Sequence, residues 1–150
     1  MNTYVSYLIA LLFSFFLLTA CQSEGQTNES AQESGSVAAA PAGTMKLLGP
    51  DAFQAYLESH PDAQLVDVRT PRECNNGIIE GAMMINIASP DYATKIQELD
   101  RDKPILVYCA VGGRSGRAAR QLQTWGFKEV YDLQGGISAW NSKSMKLVQP

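Results

Sequence analysis

An α/β architecture, a parallel sheet of about five strands with helices on both faces, is the fold class predicted by three observations. Apolar runs of strand length alternate with segments of helical periodicity from Met45 onward. The run Ile105-Leu106-Val107-Tyr108 is continuously apolar, as a strand covered on both faces must be. Helix-starting and helix-stopping residues stand at the junctions between these segments. Strands that alternate with helices pair in parallel, because each helix carries the chain back to the starting edge.

The elements follow in order. Met45-Lys46-Leu47-Leu48 is a short first strand. Pro50-Asp51 opens a helix in which Phe53, Tyr56 and Leu57 recur at helical spacing, and His60-Pro61 stops it. Gln64 to Arg69 is the second strand. Thr70 caps a brief helix with Pro71 in its first turn. Met83 to Ile87 is the third strand, and Ser89-Pro90-Asp91 begins a helix that turns Tyr92, Ile96 and Leu99 inward. Ile105 to Tyr108 is the fourth strand. The helix Ser115 to Trp125 lays Ala118, Ala119 and Leu122 on one face and ends at Gly126. Glu129 to Leu133 and Gly136 to Trp140 are the last strand and helix.

The folded region is expected at 45–150. Ahead of it, Tyr7 to Ala20 is almost wholly apolar but short for a membrane span, which needs about 20 residues. Residues 1–20 therefore read as a signal peptide, with an uncleaved anchor as the alternative. Leu18-Thr19-Ala20-Cys21 resembles the lipobox of bacterial lipoproteins. That resemblance implies lipidation at Cys21 and a lipid-anchored domain outside the cytoplasm, in the bacterial cell envelope. No Lys or Arg precedes the apolar stretch. Residues 21–44 are Ser, Gln, Glu, Ala and Gly with little apolar content, a composition that forms a flexible tether. Glu24, Glu29 and Glu33 in this stretch carry the whole formal charge of −3, and the remainder is balanced. A balanced surface does not suit nucleic acid, and a monomer is expected. Neither a cofactor motif nor a CxxC or His-rich metal cluster is present, so no cofactor and no metal is expected.

Cys109 carries the chemistry. It follows the buried run directly and opens Cys109-Ala110-Val111-Gly112-Gly113-Arg114-Ser115, a glycine-containing turn into a helix. Backbone N–H groups in such a turn, with the partial positive charge of the helix start, favour thiolate over thiol. Arg114, Arg117 and Arg120 follow at helical spacing. Arg114 reads as a site residue, whereas Arg120 reads as part of a solvated face. His60, the one histidine, lies in a turn remote in sequence, so Cys–His acyl transfer is excluded. Activation by the turn alone suits sulfur-to-sulfur transfer. Cys74 reads as a small buried apolar residue, with a Cys74–Cys109 disulfide as the alternative.

Several of these stretches together resemble the rhodanese family. Cys109 to Arg114 has the six-residue C-x-x-x-x-R form of its active-site loop. Asp67-Val68-Arg69-Thr70-Pro71 with Glu73, Gly77-Ile78-Ile79-Glu80-Gly81-Ala82 with Asn86-Ile87, and Arg114-Ser115 with Ala118-Ala119 match in order. So does the close, Gly126-Phe127, Val130-Tyr131 and Leu133-Gln134-Gly135-Gly136-Ile137-Ser138-Ala139-Trp140. The resemblance implies a single-domain sulfurtransferase. Cys109 would take a sulfane sulfur from thiosulfate or a persulfide and hand it to a thiol, or to cyanide in an assay. The N–H groups from Ala110, Val111, Gly112, Gly113, Arg114 and Ser115 would cradle it, and Asp67 and Arg69 would line or brace the site or form a structural ion pair. Ile78 and Glu80 depart from the Gly-His-Ile-Pro-Gly-Ala pattern without touching the reaction. Ala110 and Val111 are apolar where some members that use thiosulfate carry charge, which shifts the expected donor toward a persulfide. Phosphatase loops are one residue longer, and here the sixth residue after Cys109 is Ser115. Arsenate reduction or phosphatase chemistry is thus the weaker alternative, and a non-catalytic redox or sulfur-sensing domain is another.

Overall fold

The computed structural model describes residues 43–150. The expected signal peptide, Cys21 and nearly all of the expected tether lie outside the described residues. Ten elements run in strict alternation: β1 (Thr44–Leu48), α1 (Pro50–Ser59), β2 (Gln64–Asp67), α2 (Pro71–Cys74), β3 (Met83–Met84), α3 (Tyr92–Gln97), β4 (Ile105–Tyr108), α4 (Gly113–Thr124), β5 (Glu129–Leu133) and α5 (Gly136–Ser142). All strand pairs are parallel, in the order β1-β5-β4-β2-β3. β4, central in that order, is buried along its whole length, which explains its uninterrupted apolar sequence.

The two sheet faces have separate cores. On one, Val66, Ile105, Val107 and Val130 pack against Tyr92 and Ile96 of α3 and Ala118, Ala119 and Leu122 of α4. On the other, Leu65, Leu106, Tyr131 and Leu133 pack against Phe53 of α1 and Ile137 and Trp140 of α5. Each fully buried side chain of this size contributes about 1.5–3 kcal/mol by leaving water. Side chains of successive β4 residues alternate between these cores because strand side chains alternate faces. Cys109 follows β4 at the sheet's carboxyl edge, where open parallel sheets bind ligands.

Several expected elements differ in extent: β2 ends at Asp67 rather than Arg69, and the last helix runs on to Ser142. The third strand is two residues, Met83–Met84, rather than Met83 to Ile87. Beyond it, Ile85 and Ile87 donate their N–H groups to the carbonyls of Asp67 and Val68 as the chain peels away. Helix α4 begins at Gly113 rather than Ser115. Gly112 supplies the turn with φ +103°, a conformation that side chains rarely adopt. Arg114 therefore stands in the first turn of the helix and not at the end of a loop.

Candidate active site

The cradle is built from the carboxyl end of β4 and the start of α4. The Gly112 N–H donates to Cys109 Sγ at 3.1 Å, and the Ser115 hydroxyl lies 3.5 Å from the same sulfur. Ser115 Oγ is also 3.2 Å from the Gly112 carbonyl, so its single proton is shared between the two acceptors. Burial alone would raise the Cys109 thiol pKa. Hydrogen bonds from the Ser115 hydroxyl and from the N–H groups of Ser115, Gly112 and Val111 outweigh it, leaving the thiol below its ordinary value. Cys109 is 1% exposed, whereas Val111 on the lip is 69% exposed. The sulfur thus lies on the floor of the loop.

A second support comes from the glycine pair at the start of α5. Ile137 N–H donates to the Cys109 carbonyl at 2.9 Å, and Ser138 N–H to that of Ala110 at 3.1 Å. Gly136 passes so close that a Cβ there would stand 2.6 and 2.7 Å from the Ala110 carbonyl carbon and oxygen. The backbone of α5 thereby fixes the first two residues of the loop.

Arg114 is clamped. Its Nη1 and Nη2 donate to Glu73 Oε2 and Oε1 at 2.8 and 2.5 Å. Glu73 is itself held by Thr70, whose N–H and hydroxyl both donate to Oε2 in a capping box at the start of α2. Arg114 first, then Thr70, hold the Glu73 carboxyl well below the usual carboxylate range.

Asp67 and Arg69 form the ion pair of the sequence alternatives, and neither hydrogen-bonds to Cys109. Arg69 Nε reaches both Asp67 oxygens at 2.9 Å, and Nη2 reaches Oδ2 at 2.6 Å. Nη2 also donates to the Gly77 carbonyl at 2.8 Å, and Nη1 lies 3.5 Å from that of Glu73. The pair ties the end of β2 to the turn that carries Glu73, and so braces the Arg114 clamp from beneath. Cys74 is buried in the same knot, its Sγ 3.6 Å from Asp67 Oδ2. Burial pushes that thiol up to about 11. Cys74 and Cys109 are both free, which sets aside the disulfide alternative.

Two groups at the site were not assigned by sequence. Glu73 reads locally as an ordinary cap, because Thr70-x-x-Glu73 is complete by itself; its partner Arg114 is 41 residues away. Asp132, near the end of β5, is buried at 3% exposure beneath α4, with Oδ2 3.4 Å from where a Cβ on Gly116 would stand. Its burial pushes the carboxyl up, and Ser115 and Arg120 partly offset that. Its setting in Val130-Tyr131-Asp132-Leu133 offers no chemical signal. His60 stacks on Tyr56 at 3.9 Å, and its Nδ1 contacts Ser59 and Tyr56. Among the described residues no group of His, Cys, Asp or Glu is placed to hold a metal.

These features define a class: a parallel α/β domain carrying a hydrogen-bonded, free cysteine where a central strand meets a helix. Within that class the chain belongs to the rhodanese-like domain family, whose sequence pattern it matches over residues 49–143. A protein named thiosulfate sulfurtransferase GlpE from Shewanella oneidensis is 42% identical over 78 residues, covering 52% of this chain and 75% of the relative. A protein named sulfurtransferase from Allochromatium vinosum is 34% identical over 100 residues, covering 67% and 92% respectively. The crystal structure of a rhodanese-related protein from Thermoplasma volcanium superposes with a TM-score of 0.62 at 28% identity, covering 70% of this chain and 99% of that one. At the level of the family, the relatives support a rhodanese-type transferase.

Proposed function

We propose that the protein is a sulfurtransferase that carries sulfane sulfur on Cys109. The observation that carries this reading is the cradle itself, with the N–H of Gly112 and the hydroxyl of Ser115 aimed at Cys109 Sγ. These donors hold a negative charge on sulfur without a histidine base. With a persulfide R–S–SH, the Cys109 thiolate attacks the outer sulfur, a Cys109 Sγ–S bond forms, and the R–S bond to that sulfur breaks. The products are Cys109–S–SH and the thiolate R–S⁻, with no net oxidation. An acceptor thiolate then attacks the same outer sulfur and releases the Cys109 thiolate. With thiosulfate the leaving group is sulfite and the product is Cys109–S–S⁻.

The depth of Cys109 requires the donor to enter end-on, outer sulfur leading. A slim sulfur chain meets that condition better than a tetrahedral oxyanion does. Ala110 and Val111 offer no charge at the lip, which supports a persulfide donor over thiosulfate. The expected result is that incubation with thiosulfate or glutathione persulfide adds the mass of one sulfur atom to the intact chain, and that Cys109→Ser abolishes the gain. An unchanged mass with both donors, or labelling that survives the substitution, overturns the reading. A persulfide that forms but passes to no acceptor replaces turnover with sulfur sensing.

The lipobox-like Leu18-Thr19-Ala20-Cys21 supports a further part of the reading: a lipid on Cys21 holds the domain at the cell envelope. Among the described residues no helix is long and apolar enough to cross a membrane. Loss of membrane association in Cys21→Ala is the expected result, and retention in the membrane fraction would count against lipid anchoring.

A further inference from the structure

Beside the cradle lies a cavity of about 300 Å³ lined by Ile87, Ala88, Arg114, Arg117 and Gln121. Among the described residues, two of its three polar side chains, those of Arg117 and Gln121, have no hydrogen-bond or ion-pair partner. The Arg114 guanidinium is spent on Glu73, so that pair presents little net charge. Arg117, the next residue along the same side of α4, is exposed and makes no ion pair among the described residues. Gln121 follows four residues later, so its amide stands on the same helix face as Arg117. Ile87 and Ala88, after β3, supply the apolar wall. The volume is at the small end of ligand sites and corresponds to roughly ten water molecules. That exceeds what thiosulfate needs and suits an amino acid or short peptide.

Building on the sulfur-transfer reading, we propose that this cavity is the subsite for the carrier part of the sulfur substrate: a carboxylate-bearing, low-molecular-weight thiol or its persulfide. Arg117 takes the carboxylate, Gln121 hydrogen-bonds the amide or amine portion, and Ile87 and Ala88 cover the methylene segment. Arg114 lines the cavity and lies in sequence between the cradle donors Gly112 and Ser115, so a ligand seated there extends its sulfur toward Cys109. A free cation also discriminates. A neutral thiol gains nothing from Arg117, whereas a carboxylate gains a charge-assisted hydrogen bond.

The test loads Cys109 with sulfur from thiosulfate, removes the donor, and follows transfer to glutathione and to 2-mercaptoethanol separately. The ratio of the two second-order rate constants is expected to fall about fivefold in Arg117→Ala, the size of a solvent-accessible charge-assisted contact. It is also expected to shrink with added salt. Lys46→Ala removes one positive charge on β1, at the sheet edge opposite β3 and the Ile87–Ala88 wall, and is expected to leave the ratio unchanged. A ratio unaffected by Arg117→Ala, or lowered equally by Lys46→Ala, overturns the assignment. Binding of S-methylglutathione, which has no transferable sulfur, gives a readout that survives failure of the sulfur-transfer reading. Weaker binding to Arg117→Ala than to the native chain supports the subsite; equal affinity, or no binding to either, overturns it. Failure of Cys109 to load at all counts against the sulfur-transfer reading instead.

Discussion

Replacing Arg69 with methionine is expected to destabilise the domain by about 3–5 kcal/mol, because it leaves the Asp67 carboxylate buried without its counter-ion. Neither group has an alternative partner in water: the side chains are 5% and 0% exposed. Arg69 also satisfies the Gly77 carbonyl, whose acceptor would be stranded as well. For a domain of this size the melting temperature should drop on the order of 10 °C or more. Asp67→Asn in the Arg69→Met background removes the stranded charge and should recover part of the loss. Urea unfolding of the two variants measures both quantities. A cost below about 1 kcal/mol for Arg69→Met would mean that the pair is not the brace described above.

The Arg69 case shows what could be read from sequence and what could not. Asp67-Val68-Arg69 announces an acid and a base two residues apart. Whether they face a substrate or each other depends on where β2 ends. It ends at Asp67, so Arg69 is free to fold its side chain back onto Asp67 and across to Gly77. The limits of β4 were legible because an unbroken apolar run has only one way to be buried. β3 is shorter than its apolar run suggests: Ile85 is buried and Ile87 partly buried, yet beyond Met84 their N–H groups bond to Asp67 at the end of β2 and to Val68 just past it, outside a regular ladder. Helix α4 begins two residues ahead of the expected Ser115. Gly112, with φ +103°, makes the turn that leads into it, and Gly113 is its first residue. The position of Cys109 after β4, with N–H donors around its sulfur, was legible because it depends on local backbone. The Glu73–Arg114 clamp was not, because it joins two segments that are each locally satisfied. The free cation at Arg117 follows from the same clamp. Only after Arg114 is seen to be neutralised does its neighbour become the charge that faces the cavity.

Gly136→Ala should couple stability and chemistry in a single substitution. Gly136 has φ +59°, a left-handed conformation that costs an L-residue with a Cβ roughly 1–2 kcal/mol. The added methyl group also overlaps the carbonyls of Cys109 and Ala110, which are backbone and cannot swing aside. The loop must retreat, and the hydrogen bonds from Ile137 and Ser138 that fix those carbonyls lengthen or break. A total cost of roughly 3 kcal/mol or more is expected. Displacing Cys109 by even about 1 Å from the Gly112 and Ser115 donors should slow sulfur loading on the order of 100-fold. The same displacement weakens the contacts that lower the thiol pKa, so the midpoint of the pH profile for Cys109 alkylation should move upward, toward the ordinary thiol value. Native Cys74, with its thiol pushed up to about 11, should stay unlabelled over the same range. Gly126→Ala is the matched control. Gly126 has φ +88°, but a Cβ there meets nothing within 4 Å, so that variant bears backbone strain alone. It should lose stability while keeping both the loading rate and the alkylation midpoint of the native chain. If the two glycine variants instead lose loading in proportion to stability, the α5 backbone contributes only to folding, and the preorganisation of Cys109 rests on α4 alone.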